Sequence, residues 1–404
     1  MHPTTRSALI ATLLASGAGH AQVVQSCYDF TQVTNTINIF YAFRPNLNGC
    51  AVAILKDGQL VYEQSFRNVT PTTVMPIASS TKALSGAVLA AAIDRGELTL
   101  DDTLGEFLPA FNTPALQSIT VRQAYAMTAG LTTEADCISD GSSTLDACAT
   151  TIAARGLRPG ATIGGQFYYA EDGQHAMGRV LEVTGGSPFV QLFAARIANP
   201  IGMPDTTYNS STNPRIAGGV SSTLRDYVRF TQMMLNRGVA PNGQRVLSGA
   251  AVSLMEGDQT LGVPIEYAPP GLQNYAGYGL GWWRESIPED EGKVLHTDPG
   301  LFGFNPYYEV DRDLVVVLAT TDLNLIIDPL IEQLKPLIRQ IIDVKLDFNR
   351  DGVYPDLQDL YDFLDVFAGG ACPRCRGIDI NLDGVFPDNA DIEAYLNIFA
   401  GGAC

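Results

Sequence analysis

The chain has 404 residues, 46% of them apolar, and a formal net charge of −18. That length fills one large catalytic domain and leaves room for something small. The acidic balance argues against nucleic acid or an anionic membrane surface as partner, since both call for basic patches, and no stretch is long and apolar enough to span a membrane.

The N-terminus reads as an export signal. Arg6 supplies positive charge, Leu9 to Ala18 is a short apolar run, and Gly19-His20-Ala21 puts small residues at the cleavage positions. Residues 1–21 are therefore expected to be removed after Ala21, leaving a secreted or surface-attached protein. Export permits disulfides. Nearness in sequence suggests Cys27–Cys50 and Cys137–Cys148, although spacing does not fix connectivity. Cys372-Pro-Arg-Cys375 could be half of a zinc site, but no second CxxC or His pair follows it.

Residues 49–66 read as a β-hairpin: a strand from Cys50 to Leu55, a turn at Lys56-Asp57-Gly58, and a return strand from Leu60 to Phe66. Ala83 to Ile93, rich in Ala and Leu and bounded by Gly96, reads as a buried helix with a polar N-terminus. Residues 100–235 alternate helical patches with Gly/Pro-containing loops. Segments 292–297 and 313–320 read as strands, and Leu314 to Leu318 is the continuous apolar run expected inside a sheet. Asn324 to Ile342 has helical periodicity. Strands at both ends of a helical middle imply an α+β domain, residues 22–342, whose two ends share one antiparallel sheet.

A serine hydroxyl is a poor nucleophile until a base takes its proton. Beyond the signal only His175 and His296 remain, and there is no G-x-S-x-G elbow. Of the five lysines, only Lys82 has a serine three residues before it. Positions i and i+3 lie on one helical face, so Ser79 and Lys82 can meet. A helix N-terminus favours the developing anion, and burial is expected to lower the lysine pKa and make it a usable base.

Alone, S-x-x-K is a weak motif, but its surroundings are informative. Ile77-Ala-Ser-Ser-Thr-Lys-Ala83, Gly96-Glu-Leu-Thr-Leu-Asp-Asp102, Ile119-Thr-Val-Arg122, Thr128-Ala-Gly-Leu131, Pro200-Ile-Gly-Met-Pro-Asp-Thr206, Ala217-Gly-Gly-Val-Ser-Ser-Thr-Leu-Arg-Asp226 and Tyr278-Gly-Leu-Gly-Trp-Trp283 follow in order. Over residues 45–340 the chain resembles the serine β-lactamase and penicillin-binding-protein superfamily, in its class C-like, esterase and carboxypeptidase branch. The resemblance implies a β-lactamase/transpeptidase-like fold and an acyl-enzyme mechanism needing no cofactor, on a small-molecule or peptide substrate. Ser79 would be the nucleophile, and Lys82 and Tyr169 the proton-moving pair. Tyr168 is the expected packing residue.

Two departures bear on substrate. Glu171 stands where the family has an Asn amide, and a carboxylate cannot donate that hydrogen bond. His296 and Thr297 fall at the Lys/His-Thr positions expected to hold substrate. One residue is inserted after them, so the second oxyanion donor falls to Gly300 or is lost at Pro299, which has no N–H. The resemblance therefore favours an ester or peptide substrate over a β-lactam. A β-lactamase proper, and a catalytically silent binding protein, stay open as alternatives.

Residues 343–404 repeat. Asp347-Phe-Asn-Arg-Asp-Gly and Asp379-Ile-Asn-Leu-Asp-Gly lie 32 residues apart, and both copies end Phe-Ala-Gly-Gly-Ala-Cys. D-x-N-x-D-G opens a calcium loop. Candidate Ca2+ ligands are Asp347, Asn349, Asp351, the Val353 carbonyl and Asp359, then Asp379, Asn381, Asp383, the Val385 carbonyl and Asp391. The pair resembles an α-helical dockerin-like module, which implies anchoring to a cohesin-like scaffold or cell surface.

Overall fold

A computed structural model describes residues 28–272, 275–343, 348–349, 356–372, 378, 380 and 388–400. The expected signal peptide, Cys27, Cys375, Cys404 and the ligand candidates Asp347, Asp351, Val353, Asp379, Asn381, Asp383 and Val385 lie outside those residues.

The N-terminal hairpin forms as its sequence dictates. Strands β1 (Gly49–Lys56) and β2 (Gln59–Arg67) are joined through Asp57 and Gly58, both at positive φ (51° and 73°), the tight turn whose twist matches paired strands. Five more strands complete the sheet: β3 (Gly277–Tyr278), β4 (Trp283–Ser286), β5 (Val294–Thr297), β6 (Asn305–Glu309) and β7 (Leu314–Thr320). The order is β2-β1-β7-β6-β5-β4-β3, antiparallel throughout. The two ends of the domain do share the sheet: Cys50 pairs with Thr320 and Lys56 with Leu314. The proline-bearing strand β6 and the short β3 and β4 carry no clear alternation, so the sequence pattern does not announce them.

Both faces of the central strands are covered, so β1 and β7 are buried almost end to end. Their alternate residues go to different cores. Ala51, Ala53, Val315 and Val317 join the core around the buried helix α2 (Thr81–Asp94). Val52, Ile54, Val316 and Leu318 join the core beneath α1 (Thr31–Ala42) and α6 (Asn324–Asp343). Between β2 and β3 the chain builds a helical subdomain containing α3 (Leu145–Arg155), α4 (Asp172–Gly185) and α5 (Leu224–Leu235). Its polar loop is tied by the expected Cys137–Cys148 disulfide, Cα–Cα 5.3 Å.

The expected Cys27–Cys50 bridge is not made. Cys50 is a free thiol, wholly buried, and burial pushes it up to about 12. Its place on β1 explains this: it points into the core beneath α1, beside Tyr41. Cys372, considered above for zinc, is disulfide-bonded.

In the C-terminal segment, α7 (Leu357–Phe367) and α8 (Asn389–Phe399) meet where Phe363 stacks on Tyr395 at 4.0 Å. Asp356 caps α7, accepting from the N–H groups of Gln358 and Asp359. The described candidate ligands are Asn349, Asp359 and Asp391, all buried. Asp359 accepts the Asn349 and Asp356 N–H groups, and Asp391 those of Ile380 and Asp388. Among the described residues there is no group of three or more His, Cys, Asp or Glu side chains placed to hold a metal, and no helix long and apolar enough to cross a membrane.

Candidate active site

Ser79 lies in a one-turn 3-10 segment, Ala78–Ser80, that runs directly into α2. Ala78 has φ +46°, a left-handed conformation that costs a non-glycine residue about 1–3 kcal/mol and persists only where its surroundings enforce it. They do so here. Ser80 Oγ donates to the carbonyls of Asp298 (2.5 Å) and Phe304 (3.2 Å). Tyr227 Oη donates to the Ser80 carbonyl and Tyr125 Oη to that of Lys82, each at 2.7 Å. Helix α2 beds tightly on the loop before β4: a Cβ at Gly86 would strike the Leu280 carbonyl. Alanine-rich sequence and this missing side chain let the helix lie buried with Ser79 left partly accessible at its start.

The three residues expected to do the chemistry come together. Lys82 Nζ donates to Ser79 Oγ at 3.1 Å and to the Ala217 carbonyl at 2.8 Å. Tyr169 Oη donates to Ser79 Oγ at 2.7 Å. Tyr169 is held by stacking on Trp283, with ring centroids 5.8 Å apart, and by its N–H to the Tyr267 carbonyl. Lys82 Nζ also sits 4.8 Å from the Tyr169 ring centroid. Tyr168 packs, as expected, between Arg158 and Tyr267.

The charge state of Lys82 differs from expectation. Burial acts to lower its pKa, but Tyr169 and Asp298, whenever these are ionised, and the Glu171 carboxylate outweigh burial and raise it. Tyr169 is also raised, chiefly by burial and against the pull of Lys82. The resting site is therefore an ammonium beside a neutral phenol.

Glu171 is not a bare carboxylate. Arg215 grips it through Nε (2.6 Å) and Nη2 (2.8 Å). Burial would push Glu171 up, but Lys82 and Arg215 hold it below the usual carboxylate range. Sequence reading missed Arg215, which lies 44 residues from its partner; its one signal is that it stands just before the Ala217-Gly-Gly segment.

The residues after β5 depart most from expectation. Thr297 is buried, and its hydroxyl donates to the Pro306 carbonyl at 2.9 Å on the neighbouring strand. His296 is 4% exposed and stacks on Tyr308. Burial, with Arg284 opposite, lowers it to about 3, so it is neutral at physiological pH. The Thr297 hydroxyl is thus spent within the sheet, while the buried His296 keeps an Nδ1 with no hydrogen-bond partner among the described residues. The Gly300 N–H donates to the Phe304 carbonyl at 2.8 Å, so the expected second oxyanion donor is already engaged in a turn, and Pro299 has none to give. The residue that does reach the centre is Asp298. Fully buried, its Oδ2 accepts the Ala83 N–H of α2 at 3.0 Å while Oδ1 has no hydrogen-bond partner among the described residues. Burial pushes its carboxyl far up, against Lys82 and that N–H.

Tyr169, which touches Ser79, also lines a cavity of about 710 Å3, together with Glu134, Tyr168, Glu171, Arg215 and Tyr267 among others. This is the size range of small-molecule sites.

Comparison with known proteins agrees with this geometry. The chain is 26% identical over 254 residues to penicillin-binding protein 4 of Amycolatopsis lactamdurans, covering 51% of this chain and 64% of that one. It is 24% identical to the 6-aminohexanoate-dimer hydrolase of Paenarthrobacter ureafaciens, over 66% and 71% of the two chains. A solved candidate beta-lactamase from Bacteroides dorei DSM 17855 superposes with TM-score 0.69 at 26% identity, covering 78% of this chain and 99% of that one. The Beta-lactamase family profile matches residues 36–326, and with Ser79, Lys82 and Tyr169 in mutual contact inside that span, the chain belongs to the beta-lactamase family of serine hydrolases.

Proposed function

We propose that the protein hydrolyses an ester or amide through an acyl-enzyme on Ser79. The observation that carries this reading is the double hydrogen bond to Ser79 Oγ, from Lys82 Nζ at 3.1 Å and Tyr169 Oη at 2.7 Å. With Lys82 charged and Tyr169 neutral, neither group is a base able to take the Ser79 hydrogen. One proton must leave the Lys82–Tyr169 pair before attack, and it belongs to the pair rather than to either residue. The pair, short of that proton, takes the Ser79 hydrogen as Oγ bonds to the carbonyl carbon. It then delivers the same hydrogen to the leaving oxygen or nitrogen as that bond breaks. Water repeats the sequence on the acyl-enzyme and frees Ser79.

A β-lactam is the less suitable substrate. A neutral, buried His296 offers no cation for its carboxylate, and Glu171 neutralises the charge of Arg215 beside it. The relatives, one named for penicillin binding and one for hydrolysing an aminohexanoate dimer, are consistent with attack on a carbonyl.

The test is reaction with a fluorophosphonate probe and with p-nitrophenyl acetate, nitrocefin alongside, for wild type and Ser79→Ala. Labelling and turnover are expected in wild type and absent in the variant. Labelling that persists in the variant overturns the mechanism; none in wild type favours a binding protein.

We further propose that the chain is exported and that residues 343–404 bind calcium as an anchoring module for a cohesin-like partner. Support comes from the sequence repeat and from Asp359 and Asp391, equivalent residues of the two copies that each turn back to accept loop N–H groups. The Cys137–Cys148 disulfide suits an oxidising compartment. Calorimetry with calcium and with chelator checks this: a melting transition indifferent to the metal refutes calcium binding.

A further inference from the structure

The cavity beside Tyr169 has an uneven set of charged groups on its wall. Glu134 and Asp136 are exposed carboxylates, which only accept hydrogen bonds. Asp172 is spent on the N–H groups of Glu134 and Ala135. Among the described residues that line the cavity, the one cationic donor is Arg215, whose side chain is 41% exposed.

The setting of Arg215 defines what it can bind. A guanidinium has five N–H donors in a planar fork. Nε and one N–H of Nη2 are committed to Glu171, and this two-point grip fixes the plane of the group. Nη1 makes no hydrogen bond to any described residue. The free N–H groups therefore lie on the edges of the guanidinium turned away from Glu171, on a side chain that lines the cavity. The positive charge is cancelled locally by Glu171, so the pair presents donors without net charge.

We propose that Arg215 is a specificity-determining residue that binds a second, neutral carbonyl oxygen of the substrate, an amide or ester group distinct from the one Ser79 attacks. A carboxylate at that place would find the guanidinium charge already satisfied and Glu134 and Asp136 nearby. A hydrocarbon chain would leave the N–H groups without an acceptor. The substrate class is thus an ester or amide bearing another uncharged carbonyl, such as an N-acylated aminoacyl compound. The inference rests on Ser79 being the nucleophile.

Three esters of similar size separate the possibilities: p-nitrophenyl N-acetylglycinate, p-nitrophenyl butyrate and mono-p-nitrophenyl succinate. With each rate corrected for spontaneous hydrolysis and divided by that ester's own alkaline hydrolysis constant, wild type is expected to prefer the acetylglycinate over both others in kcat/KM by about ten- to hundredfold, the worth of one hydrogen bond to a charged group. In Arg215→Met the preference over butyrate collapses to about one, with the loss mostly in KM. Arg215→Lys, which keeps a cationic donor without the fork, retains part of it. A purely structural role would lower both esters alike and leave their ratio unchanged; that result overturns the proposal, as does a wild type without the preference or one that favours the succinate. Fluorophosphonate labelling of wild-type Ser79 is read in parallel. Its absence removes the nucleophile itself, whereas labelling without discrimination removes only the role of Arg215.

Discussion

The neutrality of His296 has a measurable cost at low pH. A histidine whose folded pKa is depressed binds its proton in the unfolded chain first, so stability is present above the unfolded pKa and is lost as pH falls towards the folded one. For His296, lowered to about 3, against an unfolded value of about 6.5, the loss between pH 7 and pH 5 is about 1.8 kcal/mol. His296→Phe keeps a flat ring to stack on Tyr308 and cannot titrate. Urea unfolding of wild type and variant at pH 7, 6 and 5 should give free energies within about 1 kcal/mol of each other at pH 7. At pH 5 the variant should have gained about 1.8 kcal/mol on wild type. Taking the difference cancels Asp172, Glu256 and Glu309, whose carboxyls burial pushes up and which act in the opposite sense. Parallel curves for the two proteins would refute the reasoning, for they would mean that His296 titrates freely or that the acid sensitivity lies elsewhere.

Tyr169→Phe retains the stack on Trp283 and removes only the phenol, so kcat should fall by about 10²- to 10⁴-fold with little change in urea midpoint; a drop under threefold would exclude Tyr169 from proton transfer. Because one proton must leave the Lys82–Tyr169 pair, kcat/KM for p-nitrophenyl acetate should rise towards alkaline pH, and a rate flat from pH 6 to 9 would contradict the charged Lys82. Ser80→Ala strips the carbonyls of Asp298 and Phe304 of their shared donor, for a cost of about 1–3 kcal/mol in stability. It should also slow acylation, measured by the rate of fluorophosphonate labelling, since the turn that carries Ser79 is pinned through that hydroxyl.

Local pattern carried much of this structure. The hairpin turn at Asp57-Gly58, the buried helix behind Ser79 and the apolar strand Leu314–Thr320 each follow from a handful of adjacent residues. The site was legible to the same extent: Ser79 and Lys82 are one helical turn apart, so their meeting needs no tertiary knowledge. The charge on Lys82 was not legible, because the Glu171 carboxylate reaches it from a distant segment and opposes what burial alone would do. Arg215 was hidden for the same reason. His296 and Thr297 were assigned by position in a motif, but which way a strand turns its side chains depends on register with its neighbours, and the Thr297 hydroxyl is claimed by Pro306 of β6, a strand that the sequence pattern does not announce. Cys50 was paired by nearness along the chain, whereas the strand it occupies sends it into the core.

The pairing of β1 with β7 also dictates the order in which the protein can assemble. Cys50 finds its partner only at Thr320, so the hairpin emerges early yet exposes an open edge until most of the chain has been made. Contacts of such long range close slowly. During synthesis the turn bearing Ser79 therefore has no completed sheet to rest on, and the activity proposed above waits for β7. A chain cut short before residue 314 would keep S-x-x-K intact and have no activity, with an unpaired strand edge free to join another chain.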